Sequence, residues 1–299
     1  MQKSNIAVNN TVKLKFAGHE TFAFRYGWLK KSVDAIKNEP GIFSKENAIV
    51  KLGVGKNMVK SIKYWSLATQ IVEEDRKGII LSPLGEQLFL KWDPYLDDPA
   101  SLWLLHWLLA TNPSRAAVWY VSINRYSRPD FTKDQLLEFI IDYANRHNLK
   151  VNSSTISRDI DCFIRTYIPA KKDKSHLEDT FSCPLNELVF LHQLRDGVSF
   201  QFNIGPKKTL PAQIAGYALL KYISSAQSHR KTISISECLF NAGSPGQVFK
   251  LDENSLVEYI EELYKLTDGA IALDETAGLK QIYSRNEYIP EELLTEYYA

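Results

Sequence analysis

A chain of 299 residues with 44% hydrophobic, 24% charged and 12% aromatic side chains is long enough for two or three compact units and too apolar for extended disorder. No run of about 18 apolar residues occurs, and Met1 to Lys15 lacks a secretory apolar stretch, so a cytoplasmic chain without a membrane partner is expected. The net charge of +1 hides an asymmetry: residues 1–92 hold 15 Lys/Arg against 8 Asp/Glu, residues 93–250 hold 18 against 15, and residues 251–299 hold 3 against 12, so an anionic polymer is expected to dock at the N-terminal end.

The first run with helical spacing is Tyr26 to Ile36, where Trp28, Leu29, Val33 and Ile36 share a face and Asn38, Pro40 and Gly41 end it. Ser44 reads as the cap of a short helix, Lys45 to Leu52, which stops at Gly53-Val54-Gly55. From Lys56 onward Met58, Ile62, Trp65 and Thr69 fall on one face, while Lys56, Lys60 and Lys63 fall opposite with Asn57 and Ser61 beside them. That is the pattern of a recognition helix, with lysines turned towards phosphates. A hairpin is expected next, Thr69 to Glu73 and Ile79 to Leu81 around a charged turn, followed by a helix that Ser82-Pro83 starts. Residues 1–92 thus read as an arm and a winged helix-turn-helix.

Residues 93–205 open with Trp103 to Tyr120, whose Trp103, Trp107, Trp119 and Tyr120 read as core rather than as a platform for stacked bases. Thr132 with Gln135 forms a capping box before Leu136, Phe139, Ile140 and Tyr143. Ser153 is expected to cap a further helix that turns Ile156, Ile160, Phe163 and Tyr167 inward and Arg158 and Arg165 outward, with Lys171 and Lys172 in a basic loop behind it. Residues 206–299 form a third unit: helices over Ala212 to Ile223, Ser234 to Phe240 and Asp252 to Leu266, then a hairpin over Ala270 to Tyr283. Its last helix carries Asp252, Glu253, Glu258, Glu261 and Glu262, which a duplex would repel. The fold class expected is mainly α with small β-hairpin wings, as tandem winged helix-turn-helix-like units.

Chemistry is sparser. Gly18-His19-Glu20-Thr21-Phe22-Ala23-Phe24-Arg25 is the densest polar cluster, and Lys30 and Lys31 follow it. His19 or Glu20 could manage a proton while Arg25, Lys30 and Lys31 neutralise phosphates. Equally, His19, Glu20 and Arg25 could form a buried network that fixes the arm. A zinc protease is excluded, because His-Glu-x-x-His would need a histidine at Ala23. Gly53-Val54-Gly55-Lys56-Asn57 lacks the spacing and hydroxyl of a phosphate-binding loop, so no nucleotide cofactor is expected. Cys162, Cys183 and Cys238 are odd in number and widely spaced, as reduced core thiols would be. No metal ligand set is legible.

Gly18-His19-Glu20-Thr21-Phe22 with Arg25 and Trp28-Leu29-Lys30-Lys31, then Leu52-Gly53-Val54-Gly55-Lys56-Asn57-Met58-Val59 with Ile62 and Trp65, and Ser182-Cys183-Pro184-Leu185, resemble a bacterial family long filed as a domain of unknown function. Members occur with phosphoadenosine-phosphosulfate-reductase-like proteins in DNA phosphorothioation and antiphage clusters, and the Ssp-type cluster's B component is regarded as a DNA-nicking partner. The resemblance implies double-stranded DNA and other modification or defence proteins as partners, with nicking as an implied activity and a divalent metal if that nicking is intrinsic to the chain. A non-catalytic winged-helix regulator and a protein-interaction scaffold are the competing readings. The lysine stripe favours DNA over the scaffold.

Overall fold

The computed structural model describes residues 12–76, 78–169, 183–226, 232–276, 279–284 and 288–299. The first helix, α1 (Trp28–Asn38), buries Trp28, Leu29, Val33 and Ile36. Helix α2 is shorter than its sequence indicates (Ala48–Leu52): Ser44 closes a 3-10 turn, and Asn47 stands at the helix start without a side-chain cap. Helix α3 (Lys56–Ala68) follows and packs on α1 and α2. Strands β1 (Val72–Asp75) and β2 (Gly78–Leu81) pair antiparallel from Val72↔Leu81 to Asp75↔Gly78. Ser82 caps α4 (Pro83–Gln87) by accepting from the Gly85 amide, and the chain continues through one π-helical turn, Leu88–Trp92. Gly85 is required by contact, since a Cβ there would lie 2.0 Å from the Ile71 carbonyl oxygen.

Helices α5 (Pro99–Ala110) and α6 (Ala117–Asn124) form the middle of the molecule. Every residue from Ala100 to Ala110 and from Ala117 to Asn124 is buried, the signature of helices covered on all sides. Trp103, Trp107, Trp119 and Tyr120 are therefore core. His106 is satisfied there by the Tyr167 hydroxyl at 2.9 Å and the Val248 carbonyl at 3.0 Å, and burial pushes its pKa down to about 4.

Strand β3 (Asp130–Thr132) leads into α7 (Lys133–Arg146), with the Thr132–Gln135 capping box in place. Helix α8 (Ser153–Tyr167) buries Ile156, Ile160, Phe163 and Tyr167, but Asn152, not Ser153, is its cap. The cap shifts because the Asn152 carboxamide accepts both the amide and the hydroxyl of Ser154. Strands β4 (Leu191–Gln193) and β5 (Ser199–Phe202) join β3 in an antiparallel sheet of order β3-β5-β4.

The last third comprises α9 (Ala212–Ala226), β6 (Thr232–Ser234), α10 (Ile235–Phe240), α11 (Pro245–Phe249), α12 (Glu253–Leu266), β7 (Ile271–Thr276), β8 (Leu279–Ser284) and α13 (Pro290–Tyr298). The expected hairpin is widened by β6 into a sheet of order β6-β8-β7. The fold is mainly helical with small antiparallel sheets. One cluster of buried apolar side chains runs from Leu14 to Leu294, across both boundaries at 92/93 and 205/206. Tyr298 of α13 stacks on Trp92 with centroids 4.9 Å apart, joining the last helix to the turn that closes the first third of the chain. Among the described residues no helix is long and apolar enough to cross a membrane.

Candidate functional site

Helix α3 starts after Gly53, whose φ of 62° turns the chain out of α2, and its apolar side fixes which side faces out. Ile62, Trp65 and Thr69 are fully buried, and Met58 is half-buried. Lys56, Asn57 and Lys60 are exposed, and Lys63 is half-exposed. Among the described residues neither Lys56 nor Lys63 has an ion-pair partner, whereas Lys60 lies 3.4 Å from a Glu20 carboxylate oxygen. Ser61 departs from its expected place beside the lysines. It is fully buried, and its hydroxyl donates to the His19 carbonyl at 3.1 Å.

Residues 17–22 form a loop held between α3 and α8. Ala17, Glu20 and Thr21 all take positive φ, at 63°, 48° and 65°, a conformation that costs a non-glycine residue about 1 kcal/mol or more. Hydrogen bonds from both sides offset it. The Trp65 indole donates to the Phe22 carbonyl at 2.9 Å, and the Arg165 guanidinium donates to the Thr21 carbonyl at 2.6 Å. Asp159 accepts the Ala17 amide at 2.7 Å and lies 2.8 Å from His19 Nε2.

His19, Glu20 and Arg25 therefore do not line one accessible cleft. His19 is 2% exposed and bonded internally, Glu20 reaches outward to Lys60, and Arg25 spreads its guanidinium 5.7 Å and 5.6 Å from the ring centroids of Phe22 and Trp28. Asp159 belongs to this network, and the sequence alone did not bring it forward. Its signal was available: an aspartate three residues after Ile156 and four before Phe163 sits on the apolar stripe of α8, where a carboxylate needs a partner.

Of the other basic residues, Lys30 pairs with Asp34 one turn along α1, and Lys31 donates to the Leu52 carbonyl at 3.1 Å, closing the end of α2. Arg158 is exposed on α8 and Arg165 on the same helix bridges to the loop, so Lys60 and Arg165 reach the 17–22 loop at Glu20 and Thr21. Lys171 and Lys172 lie outside the described residues. Cys162 and Cys183 are buried, and burial holds both thiols well above their usual range, as for inert core cysteines. Among the described residues no three His, Cys, Asp or Glu side chains converge as metal ligands would.

Residues 16–298 match the family described as a protein of unknown function (DUF4007). The chain belongs to the DUF4007 family. Two solved structures resemble it throughout. One, an SspB crystal structure, is 30% identical with a TM-score of 0.87, covering 96% of this chain and 89% of that one. The other, a magnesium ion-bound SspB crystal structure, is 30% identical with a TM-score of 0.86, covering 95% and 88%. No curated protein matches. The DUF4007 match begins at Phe16, immediately before the pinned loop, so the loop, α3 and α8 all lie within the shared region.

Proposed function

We propose that this DUF4007 protein binds the sugar-phosphate backbone of double-stranded DNA and serves a phosphorothioate modification and defence complex. The observation that carries this reading is the outward side of α3, where Lys56, Asn57, Lys60 and Lys63 lie together and two of the lysines are unpaired among the described residues. The order α1, α2, α3, then the β1–β2 hairpin supports a winged helix-turn-helix with α3 as recognition helix and the hairpin as wing. Arg25, Arg158 and Arg165 extend the surface beyond α3. Lys30 and Lys31 act chiefly within the fold. The acidic α12 is left to protein partners.

The test is fluorescence anisotropy of a labelled duplex over a series of salt concentrations, with wild type and a Lys56→Ala/Lys60→Ala/Lys63→Ala variant. Losing three phosphate contacts should weaken binding and reduce the slope of log affinity on log salt by roughly 2–3. An unchanged slope in a folded variant would exclude α3 as the contact.

A second reading, strand nicking within the same complex, draws on the family resemblance and on the magnesium ion in one of the solved SspB relatives. The described residues here do not form a metal-ligand set, so no cleavage step is assigned to them through a metal. Supercoiled plasmid incubated with the protein, with and without magnesium, decides whether nicking is intrinsic: no open-circular product in either arm would remove it.

A further inference from the structure

Away from α3, a cleft of about 1000 Å³ opens between the C-terminal end of α6, helix α9 and the end of α10. That volume is at the upper end of the range of roughly 300–1,000 Å³ typical of small-molecule sites. We propose that it binds a nucleotide, with the phosphate on Arg125 and the base against Phe240.

Arg125 stands at the C-terminal end of α6, its guanidinium donating to the Tyr120 hydroxyl at 3.0 Å with its carbon 5.7 Å from the Tyr120 ring centroid. Its partners among the described residues are phenols, Tyr120 and Tyr143. A guanidinium fixed in place by neutral groups keeps its whole charge, and the donors those phenols leave, for an anion. Lys221 on α9 also lines the cleft, 5.6 Å from the Tyr217 ring centroid, but Glu291 neutralises it at 2.5 Å. The anion seat is therefore Arg125.

Phe240 ends α10 on the same cleft and is 70% exposed. An uncovered ring and a positive seat lining one cleft are the combination by which proteins hold a stacked base and its phosphate. Asn241, next along the chain and also exposed, lines the cleft beside Tyr222, whose hydroxyl it bonds, with the rest of its amide open to a base edge. Inorganic phosphate alone would leave Phe240 unused, and an apolar ligand would leave Arg125 unused. The nucleotide comes either free or as one unit of a strand. This inference does not rest on the α3 surface.

Calorimetric titration of the full chain with adenosine 5′-monophosphate, adenosine, inorganic phosphate and a thymidine hexanucleotide tests it. Adenosine monophosphate or the hexanucleotide should bind, and whichever is tighter names the source. Adenosine and phosphate should each bind about tenfold or more weakly. Arg125→Gln should weaken the preferred ligand about tenfold and leave adenosine unchanged, while Phe240→Ala should weaken both and leave phosphate unchanged. Both side chains are at the surface, so circular dichroism should match wild type. The proposal falls if neither ligand binds, or if both folded variants bind as wild type does. It also falls if the α3 triple variant alone loses the hexanucleotide and adenosine monophosphate does not bind, because the strand would then sit on α3.

Discussion

The Thr21 amide donates to His19 Nδ1 at 3.1 Å, and on the other side of the ring Nε2 lies 2.8 Å from an Asp159 carboxylate oxygen. Both side chains are buried, and the pair ties the loop to α8. Trp65 performs a similar duty from the other side. It is fully buried, it holds the Phe22 carbonyl, and its ring meets Phe24 and Trp119 at 5.4 Å and 5.3 Å. Trp65→Ala should cost roughly 3–5 kcal/mol in chemical denaturation. A stability unchanged within about 0.5 kcal/mol, with DNA affinity lost, would mean that the indole touches the ligand instead. The polar cluster around His19 was legible in the sequence as an alternative between chemistry and internal wiring. Sequence could not decide it, because the partner that internalises His19 lies 140 residues away.

At the scale of elements, the amphipathic helices α1, α3, α7, α8 and α12 were legible because their apolar faces repeat over three or four turns. The three-residue strands β3, β4 and β6 were not, since a segment that short carries no period, and each is made a strand by a distant neighbour. Helix α11 escaped for the same reason, with five residues ending at Lys250 in left-handed backbone. Lys250 is itself a consequence of tertiary packing. Its amine donates to the Ile123 carbonyl at 2.6 Å beside the Phe202 ring, and burial lowers its pKa from 10.5 to about 7. Between pH 7 and 10.5 the unfolded chain therefore binds the extra proton, so stability rises with pH across that window, and the full penalty, on the order of 5 kcal/mol, applies below it. Lys250→Met should raise stability at pH 6, and the gain should shrink towards pH 10. The Ile123 carbonyl keeps Gln247 as a donor at 2.8 Å, so the substitution leaves it partnered. Denaturation curves at the two pH values check this, and an equal effect at both would mean that the amine is not desolvated.

The whole molecule shares one core, and that property was not visible in segment-by-segment reading. The N-terminal third is completed by helix α5 and the turn after it: the Gln70 amide donates to the Leu108 carbonyl at 2.9 Å, the Asn112 amide to the Ala68 carbonyl at 3.0 Å, and Lys15 pairs backbone to backbone with Pro113 at 3.0 Å. Residues 1–92 expressed alone should consequently lack a cooperative melt by circular dichroism, while the full chain melts as one. A sharp transition in the fragment would show a self-sufficient unit. The charge asymmetry, by contrast, was read directly from composition, because it needs no knowledge of contacts.

The loop clamped between α3 and α8 also makes a clock. Surface loops ordinarily trade their amide hydrogens with solvent within seconds, yet the Ala17 amide is donated to Asp159 of α8 and the Thr21 amide to His19, both of them buried side chains. These two amides should exchange as slowly as the central helices, and their exchange in deuterium oxide should report opening of the whole molecule. Adding duplex should slow them further to the extent that DNA bridges α3 and α8, giving a label-free readout of binding at residues that never touch the ligand.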